Sequence, residues 1–157
     1  MTFPMIDDAL RPLAQVMEEA IPFNAWLGLR VLHLTTGHSL LQIPWKPQLV
    51  GDPFRQIPHG GVLSCLIDVG GGSACLSHMG TYEGRASTVD LRIDYLKPGT
   101  TGQDLFCESR IIRLGRRIAF AQMAVYSGGM PDGTEAMSEA IATGQGVYSM
   151  HGREAAE

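Results

Sequence analysis

His59-Gly60-Gly61 is followed, nine residues after the histidine, by Asp68, a lone carboxylate in the apolar run Val62-Leu63-Ser64-Cys65-Leu66-Ile67-Asp68-Val69. An ionised carboxylate there costs several kcal/mol unless it is paired or hydrogen-bonded, so Asp68 has either a hidden partner or a chemical task. Gly60 and Gly61 lie where a loop becomes a helix. Without side chains they let a ligand approach the backbone, and the first amide hydrogens of a helix point outward with partial positive charge. A carbonyl oxygen gaining negative charge would be stabilised there; the same glycines would equally serve a tight entry turn. At a rise of about 1.5 Å per residue, Gly60 and Asp68 stand about 12 Å apart along one continuous helix, too far for one carbonyl to touch both. If they act together, a second subunit must supply one of them, and a two-fold interface with antiparallel helices would build two composite sites.

Other chemistries lack their signatures. Ser73 has no Gly-x-Ser-x-Gly frame, Gly70-Gly71-Gly72 lacks the spacing of a phosphate-binding fingerprint, and Cys75-x-x-His78 lacks a second ligand pair, so neither a metal nor a cofactor is expected. Positive charge gathers at Arg110, Arg113, Arg116 and Arg117, with Lys97 upstream, on a chain of net charge −4. These are either solvated strand and turn arginines or a local phosphate site. The acidic balance argues against a nucleic-acid partner. Cys65, Cys75 and Cys107, odd in number and without paired spacing, read as reduced core thiols. Asp7 and Asp8 stand where a secretory leader would carry lysines, and no apolar stretch is read as reaching the roughly 20 residues of a membrane span. A cytoplasmic protein without a membrane partner is expected.

The elements that must position these residues follow from periodicity. With 157 residues and 45% hydrophobic content the chain can bury one core. Leu10, Leu13, Ala14, Met17 and Ile21 recur at helical spacing, giving an amphipathic N-terminal helix within 1–24, with Pro12 tolerated in its first turn. Leu29–Thr35 and Ser39–Pro44 read as a hairpin turning at Gly37, and the Pro/Gly-rich 45–58 as a loop that delivers the chain to His59. Val62 to about Met79 is a buried helix whose Gly70-Gly71-Gly72 requires something packed very close. Ser87–Leu96, Leu105–Leu114, Arg117–Tyr126 and Glu135–Tyr148 read as strands. The order gives an α+β fold, an antiparallel sheet on one long helix spanning 25–150, with a frayed tail at 151–157.

His59-Gly60-Gly61-Val62 with Asp68 resembles the central-helix motif of hotdog-fold acyl-CoA thioesterases, specifically the phenylacetic-acid-degradation (PaaI-like) group. The likeness continues in Thr88-Val89-Asp90-Leu91-Arg92-Ile93-Asp94-Tyr95-Leu96-Lys97-Pro98 and in Leu114-Gly115-Arg116-Arg117-Ile118-Ala119-Phe120, and covers about residues 25 to 148. It implies a curved antiparallel sheet wrapped round the central helix, and a homodimer, with a dimer of dimers as a further assembly, whose two sites lie at the interface. It implies Asp68 of one subunit as general base or nucleophile toward an acyl-CoA thioester. The Gly60 amide of the other would polarise the carbonyl beside Gly61, with His59 orienting the loop and Thr88 near the attacking water. Arg116, Arg117 and Lys97 would meet the phosphates of coenzyme A. One position departs: six residues before His59, where many relatives carry asparagine, stands Pro53, with Asp52 and Gln56 the nearby polar side chains. A non-catalytic acyl-CoA binder on the same fold is the alternative. Met17, Met79, Met123, Phe54, Trp26 and Trp45 are either acyl-pocket residues or ordinary core.

Overall fold

The computed structural model describes residues 5–79, 84–130 and 136–151. The N-terminal helix is present but in pieces. A single turn at Asp8–Leu10 leads into α1 (Arg11–Gln15), which widens into a π-helical turn at Val16–Ala20. Ile21 is extended (φ −90°, ψ 107°), Pro22 opens a second helix, α2 (Pro22–Leu27), and Gly28 closes it in the left-handed region (φ 75°). Leu10, Leu13, Ala14 and Met17 are buried as their spacing requires, while Ile21 is 40% exposed and off the stripe. Pro12 lies at the start of α1, where its missing N–H has no acceptor to lose. Residue 24, the expected boundary, falls inside α2, since proline at a first helical position starts a helix rather than ending one.

The hairpin is β1 (Arg30–Thr35) and β2 (His38–Ile43), turning at Gly37 with φ 74°. The segment expected to be a loop contains a turn at Pro47–Leu49 and a small antiparallel pair, β3 (Val50–Asp52) with β4 (Ile57–Pro58). Then come the central helix α3 (Gly60–Met79), β5 (Arg85–Tyr95), β6 (Leu105–Leu114), β7 (Ile118–Ser127), a one-turn α4 (Ala136–Glu139) and β8 (Ala142–His151). The last strand thus starts later than its sequence suggests, behind α4, and runs on to His151; residues 152–157 of the expected tail lie outside the described residues.

Six strands form one antiparallel sheet in the order β1-β2-β6-β7-β8-β5, and α3 packs on its concave face. Contact is so close that the helix needs its glycines. A Cβ on Gly70 would meet Ser109 Oγ at 2.4 Å, and one on Gly71 would meet Tyr148 Oη at 2.1 Å. From the sheet side, a Cβ on Gly144 would come within 2.5 Å of Ile67 Cγ2. About 1 kcal/mol per mid-helix glycine is offset by that approach. The core gathers Leu66, Ile67 and Cys75 of α3 with Leu41, Ile43, Leu105, Met123 and Val125 of the sheet, all at 0–1% exposure. Hydroxyls within it are bonded: Ser39 and Ser73 both donate to the Gly70 carbonyl, at 3.1 and 2.8 Å.

The expectation of no span-length apolar stretch is corrected by α3, whose 20 residues include an 18-residue window of mean hydropathy 1.3. One acid among small and apolar residues leaves the mean high, and half of that window is buried inside the fold. The sheet's two edges differ. The β1 edge is covered by the N-terminal segment, where Asp7 N–H donates to Leu34 O at 3.0 Å and Leu34 N–H to Met5 O at 2.9 Å. The β5 edge, eleven residues long, carries no neighbouring strand among the described residues.

Candidate active site

Asp68 is half-buried on α3 and has a partner of a particular kind. Thr88 Oγ1, on β5, donates to its Oδ1 at 2.6 Å. The β5–β8 register slips between Thr88 and Asp90, and Thr88 stands opposite Tyr148. The Tyr148 hydroxyl in turn donates to the Asp68 backbone carbonyl at 3.3 Å. The lone carboxylate is thus satisfied by a neutral hydroxyl, and no cation bonds it among the described residues. Its charge is felt nearby. Burial first, and Asp68 second, push up both the Tyr148 phenol and the Cys65 thiol, which keeps these neighbours protonated at neutral pH.

Eight residues earlier the helix begins. His59 N–H bonds Leu49 O at 2.8 Å, and Gly51 makes room for this approach, since a Cβ there would lie 2.4 Å from His59 Cα. The His59 ring folds back so that Nδ1 accepts the Gly61 N–H at 2.8 Å. An accepting Nδ1 carries no proton, so this hydrogen bond selects the tautomer with the ring proton on Nε2. The Gly60 carbonyl accepts Ser64 Oγ–H at 3.1 Å, and Tyr95 Oη lies 2.6 Å from Ser64 Oγ and 3.4 Å from the same carbonyl. With the Gly61 amide occupied, the Gly60 N–H is the first helix donor without an acceptor among the described residues. Such a group at a helix N-terminus suits a carbonyl oxygen gaining charge.

The predicted site residues therefore fall into separate groups. Asp68 meets Thr88, and His59, Gly60 and Gly61 form one turn, but within the chain a helix length of about 12 Å divides the two sets. Lys97 follows the Gly60 end of β5 and pairs with Glu139 at 3.5 Å. Arg116 and Arg117 are exposed in the β6–β7 turn; the Arg117 carbonyl accepts Met150 N–H at 2.8 Å, and Met150 pairs with Ala86 near the Thr88 end. Arg110 leaves the basic cluster: it pairs at 2.5 Å with Glu108, whose carboxyl is held below its usual range first by the His38 hydrogen bond. Neither polar neighbour of Pro53 is available in place of asparagine. Asp52 caps the Phe54 and Arg55 amides and binds the Arg55 guanidinium, and Gln56 donates to Pro53 O. Of the pocket candidates, Met17 and Met123 are core residues. Trp26, 60% exposed, stacks on Phe23 beneath Lys46, while Phe54 is 95% exposed. Tyr95, Ser64 and Tyr148 join the site without having been expected there; Ser64, four residues after Gly60 on the helix, carried the only local signal.

A six-stranded antiparallel sheet packed round one long central helix is the architecture of a hotdog fold. The matching family model is the thioesterase superfamily, over residues 56–134. The medium/long-chain acyl-CoA thioesterase YigI of Escherichia coli (strain K12) is 29% identical over 133 residues, 77% of this chain and 85% of that protein. Among solved structures, a protein of Shewanella oneidensis related to the thioesterase superfamily superposes with a TM-score of 0.72 at 29% identity, covering 90% of this chain and 95% of that one. A mutant of the phenylacetic acid degradation protein PaaI of Thermus thermophilus does so with a TM-score of 0.66 at 26% identity, covering 82% and 97%. The chain belongs to the thioesterase superfamily, as a PaaI-like hotdog enzyme.

Proposed function

We propose that this protein hydrolyses acyl-CoA thioesters to a free carboxylic acid and coenzyme A, in sites shared between two subunits. The observation that carries the reading is the presence on one helix of the Thr88-held Asp68 carboxylate and a Gly60 N–H without an acceptor among the described residues, both beside the β5 edge of the sheet. An exposed eleven-residue edge strand is a template for pairing with another chain. If β5 pairs antiparallel with its own copy, a register placing Thr88 opposite the second copy's Tyr95 brings Asp68 of one subunit to Gly60 of the other. The same register sets Lys97 level with the second subunit's Ala86, and hence with the Arg116–Arg117 turn, so that basic residues from both chains converge on one end of each site. That charge suits the phosphates of coenzyme A.

In this mechanism the thioester carbonyl accepts the Gly60 N–H. Asp68 acts as general base, because Thr88 occupies Oδ1 and leaves Oδ2 to take a proton from water. The hydroxide adds to the carbonyl carbon, the oxyanion collapses, the C–S bond breaks, and the thiolate leaves and is protonated to the free thiol. The named activity of the Escherichia coli relative directs the substrate series to medium and long acyl chains. Thiol release from such a series tests the reading. Asp68→Asn, equal in shape and without the charge, is expected to lower turnover at least about a hundredfold in a folded protein. In water enriched in heavy oxygen a single turnover should label the acid and leave Asp68 unlabelled; label found on Asp68 would show that its carboxylate attacks as a nucleophile. Wild type that binds acyl-CoA without releasing thiol would replace this reading with that of a binding protein.

A further inference from the structure

We infer that Tyr95 and Ser64 are positioning residues, a two-hydroxyl relay that sets the Gly60 amide and ties it to the edge strand. The inference rests on the thioesterase reading above. The two peptide planes meeting at Gly60 must be fixed for its N–H to point at a substrate oxygen. One of them, between Gly60 and Gly61, is held at both ends: His59 Nδ1 takes its N–H at 2.8 Å, and the Ser64 hydroxyl donates to its carbonyl at 3.1 Å. Each hydroxyl has a single proton. Ser64 spends its own on the carbonyl, so it accepts from Tyr95 at 2.6 Å, and the 3.4 Å contact of Tyr95 with the carbonyl is the weaker alternative. The relay thus runs from the end of β5, through Tyr95 and Ser64, to the first turn of α3.

Its setting argues for orientation rather than bulk stability. Tyr95 is 57% exposed, and hydrogen bonds near solvent contribute little net free energy. The ring lies directly over Gly60, where a Cβ would stand 3.3 Å from Tyr95 Cε1, so the phenol also forms one wall beside the amide. Tyr95 is the last residue of β5, the strand proposed to pair between subunits, so subunit pairing and amide alignment share one side chain.

Tyr95→Phe keeps the wall and removes the hydroxyl; Ser64→Ala breaks the middle of the relay. Each should lower kcat for acyl-CoA hydrolysis about fivefold to tenfold, the effect of roughly one net hydrogen bond expressed only in the transition state. The dissociation constant of a non-hydrolysable acyl-CoA thioether should stay within about twofold of wild type, and light scattering should show an unchanged assembly. Because the hydroxyls act in series, the double variant should be no more than about twofold worse than the poorer single one. Wild-type kcat in Tyr95→Phe, additive losses in the double variant, or thioether binding that weakens in step with kcat would each overturn the inference while leaving thioesterase activity standing. Wild type that releases no thiol would overturn the thioesterase reading, and the inference with it.

Discussion

Two inactive variants of this protein should restore each other when their subunits are allowed to exchange. The first lesion is Asp68→Asn, which removes the charge held by Thr88. The second is Gly61→Phe: even a Cβ on Gly61 would stand 2.8 Å from His59 Nδ1, so the ring must displace the imidazole and break the His59–Gly61 bond beside the free amide. Along α3, seven residues at about 1.5 Å each separate the two lesions by about 10.5 Å, so neither reaches the other within one chain. In a heterodimer one composite site collects both lesions and the other collects neither. Random pairing makes about half of all dimers mixed, and about half of their sites are intact, so an equal mixture should approach about a quarter of wild-type turnover in a free-thiol assay. A site assembled within one chain predicts no recovery. Persistent inactivity, with subunit exchange shown by mass spectrometry of tagged chains and folding shown by circular dichroism, would refute the shared site.

Replacing both Arg116 and Arg117 with alanine should raise KM for acyl-CoA with little change in kcat, because both side chains are exposed and the hydrogen bond to Met150 N–H comes from the Arg117 backbone carbonyl; the penalty should vanish with a thioester lacking the nucleotide, and equal penalties on both substrates would make the arginines structural. Gly71→Ala should lower the melting temperature by several degrees, through roughly 1–3 kcal/mol of overpacking against Tyr148, whose Oη lies 2.1 Å from the added Cβ; an unchanged melting curve would contradict the close packing. Stability should also fall on acidification. Burial first, and His38 second, hold His33 below its ordinary value of 6.5, so the unfolded chain takes up a proton that the folded chain refuses, and stability present above that value is lost as pH drops through it. Glu108, lowered from 4.5 first by the His38 hydrogen bond, adds a loss of the same sign at lower pH. Denaturant midpoints that rise between about pH 7.5 and 5.5 would reverse this assignment.

Much of the molecule could be derived from residue order, because the responsible forces are local or periodic. Alternation in Val89-Asp90-Leu91-Arg92-Ile93 marks a strand with two different faces, and an apolar run broken only by glycines and one acid marks a helix to be enclosed. The spacing of Gly60 and Asp68 even states that one chain cannot join them. Where local rules compete, the outcome needed the structure. Pro22 can end a helix or start one, and here it starts one; the segment before β8 has room for a helical turn that strand periodicity alone cannot reveal. The partner of Asp68 lies twenty residues away and that of Ser64 thirty-one, on one strand that meets the helix at both places. No periodicity encodes which hydroxyl meets which carboxylate, because a side chain's contact depends on the twist and register of elements that become neighbours only when the core closes. Residue type and helical rise were enough to say which residues had chemistry to offer and how far apart one helix holds them. That Thr88 bonds Asp68, that Ser64 bonds the Gly60 carbonyl and Tyr95 bonds Ser64, and that β5 ends the sheet beside both, came from the closing of the core.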